Sequence, residues 1–267
     1  MGRSNFIIVN TNSKGGLCCS YSIDLNIGCS NKCESCYGLK VSMMKREDFH
    51  TDNPVEKVFD EKKFIQSVKK YRNKGMGFAR LGKFSDIVNG NYNGTLNQTL
   101  KAATKEGLRL VLISKSLVFN EELSKLLREG NHTLHMSCGL ISQAQSNEKR
   151  ICTYSRYKKD GVNSRLRIVE DITKRIPSTY KYVDKTDIIV TPLRFNSEKD
   201  LNIYEADKDC YSFQSGYYRL LTDKIHSDWG DFPYWCGEST NKDGSASIRC
   251  CSCLVNIGDK NVMENNN

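Results

Sequence analysis

The sequence predicts an α/β fold with a mostly parallel sheet, arranged as an open, partial (β/α)6 barrel with a cysteine-rich C-terminal extension. Three observations lead there. Short β-rich runs alternate with stretches of helical period, six such units can be counted, and the 267 residues fit one barrel-sized core. Alternation of this kind favours parallel pairing with right-handed crossovers, and six units are too few to close an eight-stranded barrel.

The first run is "YSIDLNI" at 21–27. In "VEKVFDEKKFIQSVKKYRNKG", at 55–75, Val58, Phe64, Ile65 and Val68 fall near helical spacing. "GFARL" (77–81) is the second run, and "TLNQTLKAATKEG" (95–107) follows as a helix closed by glycine. "LRLVLIS" (108–114) is the third, and "NEELSKLLREGN" (120–131) is again a helix ending at glycine. "HTLHMSC" (132–138) is the fourth run. Its His132 and His135, three apart on a strand, point to opposite faces and read as structural. "SRLRIVEDITKRIP" (164–177) reads as a helix, with Leu166, Ile168, Val169, Ile172 and Ile176 apolar and a proline beyond. "DIIVTPL" (187–193) and "CYSFQSG" (210–216) complete the six runs. The barrel is expected over 1–222 and the extension over 223–267.

No apolar run approaches the roughly 20 residues of a membrane helix. "MGRSNFIIVN" has no secretory pattern, and Phe6 stands where a myristoylation signal needs Ser or Thr, so the expected location is cytoplasmic. Walker and Gly-x-Gly-x-x-Gly motifs are lacking.

The twelve cysteines are clustered rather than spread. Cys29, Cys33 and Cys36 in "IGCSNKCESCYG" lie at spacings of four and three, on the loop where a barrel of this kind places its chemistry. Thiolates hold zinc or iron-sulfur clusters, and structural zinc normally takes four protein ligands. Three close cysteines therefore leave one metal corner open; a zinc site completed from a distance and coincidental free cysteines are the alternatives. Cys236, Cys250, Cys251 and Cys253 form a second group, open to an auxiliary 4Fe-4S cluster, to zinc or to no metal. Cys18, Cys19, Cys138, Cys152 and Cys210 read mostly as small buried hydrophobes.

The first cysteine loop resembles the radical S-adenosylmethionine (radical SAM) enzymes, with Cys29, Cys33 and Cys36 at the signature spacing and Tyr37 where the family often has an aromatic. Ser35 departs from the pattern, since many members carry an aromatic there. The resemblance implies a 4Fe-4S cluster on the three cysteines, with S-adenosylmethionine on the fourth iron, cleaved to a 5′-deoxyadenosyl radical. It also implies a reductant such as flavodoxin or ferredoxin. "ARLGKFSDI" lacks the family's Gly-Gly-Glu segment and is more similar to the spore photoproduct lyase branch. By that likeness Ser85, Lys115 and Ser137 contact the cofactor, Lys115 through the carboxylate, while Asp86 and Arg165 are candidates for the ribose or carboxylate. Phe84 stands where that lyase has its hydrogen-donor cysteine, which argues against the same reaction. The C-terminal cysteines are loosely similar to SPASM or twitch extensions.

Forty basic and 31 acidic residues give a net charge of +9. The segment from Lys149 to Lys185 alone holds eleven basic and four acidic residues, interleaved with Tyr154, Tyr157, Tyr180 and Tyr182. Cations and rings together suit phosphate contact and base stacking, though a charge run is also what a solvated face looks like. The expected substrate is a nucleotide or nucleic-acid base. A peptide- or protein-modifying radical enzyme is the alternative, and a metal-containing nucleic-acid-binding protein without catalysis is a third class.

Overall fold

The computed structural model describes residues 5–11, 21–31, 33, 45–82, 85–86, 93–139, 144–195, 197–214 and 217–236. In chain order they form β1 (Asn10–Thr11), β2 (Tyr21–Ile23), β3 (Asn26–Ile27), α1 (Arg46–Phe49), β4 (Val55–Glu56), α2 (Glu61–Arg72) and β5 (Phe78–Leu81). Then come α3 (Asn93–Lys105), β6 (Arg109–Ser114), α4 (Glu121–Glu129), β7 (Thr133–Gly139), α5 (Ala144–Lys159) and β8 (Asn163–Glu170). Last are β9 (Ile188–Pro192), α6 (Glu198–Ile203), β10 (Tyr211–Gln214) and β11 (Tyr217–Leu220). The fold is mixed α/β. Its main sheet has the strand order β1-β2-β5-β6-β7-β8-β9. The pairs β2–β5, β5–β6, β6–β7 and β8–β9 are parallel, and only β1, on the edge, is shown antiparallel to its neighbour β2.

Local chemistry explains where the helices begin. Asp60 accepts the Lys63 N–H at 3.0 Å and Asn120 that of Leu123 at 2.8 Å, each satisfying a donor that the first helical turn leaves open. Such a cap is worth about 1 kcal/mol. α2 then buries Phe64 and Val68, and α4 buries Leu123, Leu126 and Leu127. Val58 stays outside the helix expected around it and is exposed.

Three expectations are corrected. Residues 164–177 do not form a helix: β8 occupies Asn163–Glu170, and the helix before it, α5, went unrecognised. Leu166 and Ile168 keep the two-residue strand period while Leu166 with Val169 and Ile168 with Ile172 keep helical spacing, and both faces of the strand carry buried residues, which erases simple alternation. The "CYSFQSG" run does form a strand, but β10 pairs with β11 in an antiparallel hairpin outside the main sheet. "YSIDLNI" is likewise divided, β2 entering the main sheet and β3 pairing with β4.

The chain falls into two compact units, residues 1–136 with 152–164 and residues 137–151 with 165–267. In the first, the registers Ser22 with Arg80, Arg80 with Val111, Val111 with Thr133 and Ile113 with His135 put these side chains on one face of the sheet. The other face carries Ile23, Ala79, Leu81, Leu110, Leu112 and Leu134 and meets the helices: the Tyr21 ring lies 5.7 Å from that of Tyr71 on α2, tilted by 51°. His132 belongs to that face. Its Nδ1 accepts the Leu110 N–H at 3.1 Å, and its Nε2 lies 3.1 Å from Thr104 Oγ1. Burial pushes its pKa down to about 4, the Arg109 charge adding to this and a hydrogen bond to the Leu100 backbone opposing it. His132 and His135 thus lie on opposite faces, as expected.

In the second unit β8 and β9 pair from Leu166–Ile188 to Glu170–Pro192. Gly139, at φ 127°, lets β7 press against β8: a Cβ there would fall onto the Val169 carbonyl oxygen. Tyr180 and Tyr211 are buried with their hydroxyls on Glu170 (3.1 Å) and Asp171 (2.8 Å), and burial first, then these carboxylates, raises both phenol pKa values. Among the described residues, no helix is long and apolar enough to cross a membrane.

Candidate functional site

The parallel strands of the first unit end at one edge, and the chain segments leaving that edge carry the chemistry. Gly28 opens the cysteine loop at φ 95°, where a Cβ would come within 2.9 Å of Thr51 Cγ2. That freedom lets Cys29 run beside His50 as a short parallel bridge, its N–H donating to the Phe49 carbonyl at 2.7 Å while its carbonyl accepts the Thr51 N–H at 3.2 Å. Asn26 steadies the approach, donating from Nδ2 to the Gly28 carbonyl at 3.1 Å and accepting from Ser85 Oγ at its Oδ1.

Asp86 fastens this loop to the end of β6. Its Oδ2 accepts from Asn31 Nδ2 at 2.9 Å and from the Lys115 N–H at 2.5 Å, and its Oδ1 accepts from Ser114 Oγ at 2.8 Å. Cys33 donates its own N–H to the Asn31 carbonyl at 2.9 Å. Lys115 Nζ then reaches the Cys33 sulfur at 3.0 Å.

Burial pushes the Cys29 thiol up to about 11, against backbone hydrogen bonds from Asp86 and Asn31 at its sulfur, with the Asp86 and Cys33 charges adding to the rise. The proton therefore stays on Cys29 at neutral pH unless a metal cation displaces it. Amide donors at one sulfur and an ammonium at the other are the surroundings that stabilise sulfur ligands once they carry negative charge.

The structure thus brings together Cys29, Cys33, Ser85 and Lys115 of the expected site. Cys36 and Tyr37 lie outside the described residues, and among the described residues no group of three His, Cys, Asp or Glu is arranged to hold a metal. Ser137 is buried near the end of β7 and belongs to the second unit. So does Arg165, also buried, with its guanidinium 4.4 Å from the Tyr234 ring. Cys236 is buried there and donates its N–H to the Val190 carbonyl at 2.8 Å, while Cys250, Cys251 and Cys253 lie outside the described residues.

Asp86, expected at a cofactor ribose or carboxylate, joins the cysteine loop to the end of β6 by accepting from Asn31, Ser114 and the Lys115 N–H. Asn26, Asn31 and Ser114 were missed as site residues. Asn31, inside the cysteine loop, and Ser114, beside Lys115, could have been found from their neighbours; Asn26 gave no such signal.

The tyrosines of the basic segment need correction. Tyr154, Tyr157 and Tyr180 are 3%, 0% and 1% exposed and fill the core, whereas Tyr182 is 97% exposed. Tyr157 is held by the Asn120 N–H donating to its hydroxyl at 3.1 Å. Three of the four rings therefore do not stack on bases at the surface. Compared with known proteins, the chain matches no family model and no curated protein.

Proposed function

We propose that this protein is a radical S-adenosylmethionine enzyme built on a partial (β/α)6 barrel. The observation that carries the reading is the meeting of Cys29 and Cys33 with Asp86 and Lys115 at the C-terminal edge of β2, β5 and β6, with the Lys115 ammonium 3.0 Å from the Cys33 sulfur. The donor set fits a 4Fe-4S cluster on Cys29, Cys33 and Cys36, because thiolates are its ligands and amide and ammonium donors offset their charge. When bound, the cluster with S-adenosylmethionine supplies hydrogen abstraction by a 5′-deoxyadenosyl radical, with flavodoxin or ferredoxin as the electron source.

The chain's own residues supply position and charge. Asp86 fixes the loop that carries the cysteines, and Cys29 Sγ gives up its proton on metal binding. Lys115 adds a positive charge for the methionyl carboxylate, and Tyr37 and Ser85 add cofactor contacts. Cys236, Cys250, Cys251 and Cys253 hold an auxiliary 4Fe-4S cluster or zinc in this reading.

The substrate is a nucleotide or nucleic-acid base, a reading supported by the net charge of +9 and by the exposed cations of α5. The decisive measurement is 5′-deoxyadenosine formed after anaerobic iron-sulfur reconstitution with dithionite and S-adenosylmethionine. Wild type is expected to form it, and the triple variant with Cys29, Cys33 and Cys36 each replaced by Ala to lose at least about 100-fold. A wild type that carries a reduced cluster yet forms none, even with candidate substrates, would end the proposal.

A further inference from the structure

The sheet face that turns away from the helices in the first unit is cationic. Arg80 on β5 and Arg109 on β6 stand on adjacent parallel strands, offset by two residues, because Arg109 pairs with Phe78 and Arg80 with Val111. That offset places their Cα atoms about 8 Å apart on the same face, close enough for two long side chains to converge on one group. Ser22, Val111, Ile113, Thr133 and His135 share the face, and the buried carboxylate of Asp24 lies just past the end of β2.

Both arginines are only partly accessible, so solvent reaches a portion of each side chain. Arg80 Nε, Arg109 Nε and Arg109 Nη2 are nevertheless cut off from water, and none meets an acceptor among the described residues. A guanidinium does not lose its proton in a protein, so burial cannot neutralise these groups as it neutralises His132. Donors that are charged, buried and without acceptors call for an anion supplied from outside the chain.

We propose that this face binds a phosphate group, as inorganic phosphate or as a small phosphate monoester such as a nucleotide. The planar forks of Arg80 and Arg109 each match two phosphate oxygens, and the Thr133 hydroxyl lies two strands from Arg80 on the same face. The inference stands apart from the radical reading, because it needs neither cluster nor S-adenosylmethionine.

The full-length chain, purified without metal in chloride buffer, tests it. Inorganic phosphate or AMP, added at constant ionic strength, is expected to raise Tm by at least about 2 °C and to broaden the phosphorus-31 resonance of the added ligand. Arg80→Gln and Arg109→Gln are expected to weaken the apparent affinity about tenfold or more, and Lys62→Gln, on the exposed surface of α2, to leave it unchanged. Tighter binding of AMP than of phosphate would assign the site to a nucleotide ester, and equal binding to free phosphate. The proposal fails if wild type shows neither the Tm rise nor the broadening, if adenosine without phosphate acts as AMP does, or if both arginine variants bind as wild type. The broadening measurement on wild type decides the matter even where a variant does not fold.

Discussion

Asp86 organises more of the site than any other single side chain described. Its two carboxylate oxygens take donors from Asn31, Ser114 and the Lys115 backbone, so the first part of the cysteine loop is tied to the end of a strand. The cysteines themselves were legible in the sequence because their spacing is local. Asp86 was legible only as a polar residue after a strand, since its partners are 28 to 55 residues away. His132 carries a test at this scale. Its pKa is lowered from 6.5 to about 4, so the folded state holds it neutral while the unfolded chain protonates it. Its contribution to stability is complete above pH 6.5 and is lost as pH falls toward 4, by up to about 3 kcal/mol. Urea unfolding at pH 7 and pH 4.5 is expected to show this loss in wild type and less of it in His132→Gln; equal losses would count against a buried neutral imidazole.

Among the elements, the helices closed by glycine were the most legible. The caps Asp60 and Asn120, which set where α2 and α4 begin, were not read from the sequence, and the helix expected over 55–75 began six residues too early. β8 was not legible, because residues buried on both faces of a strand abolish the alternation that distinguishes strand from helix. The same closeness of strands makes Gly139 a sharp probe. Gly139→Ala combines a φ of 127° with a Cβ on the Val169 carbonyl, and is expected to cost about 3 kcal/mol or more in urea unfolding. Gly75→Ala, at φ 85° with open space around it, is expected to cost only about 1 kcal/mol. Equal costs would mean that the backbone angle, and not the contact, sets the penalty.

At the scale of the whole molecule, charge and core divide the basic segment between them. Tyr154, Tyr157 and Tyr180 were drawn inward because a ring gains more from burial than it does on a charged surface, and the exposed Arg156, Lys158 and Lys159 stay at the end of α5. If these cations meet a polynucleotide, replacing all three by Gln is expected to reduce the slope of log affinity for single-stranded RNA against log salt by about 2. An unchanged slope would remove this helix from any such interface, and no binding by wild type at low salt would favour a peptide substrate.

The sequence by itself determined the α/β class, the cysteine spacing, the glycine-closed helix ends and the net charge, since these depend on composition or on neighbours within a turn or two. Only the tertiary structure decided that Lys115 stands against Cys33, that Asp86 closes the loop between them, and that Arg80 and Arg109 share a face. Those pairings depend on strand register and on chain ends brought together across tens of residues, and no local periodicity encodes them.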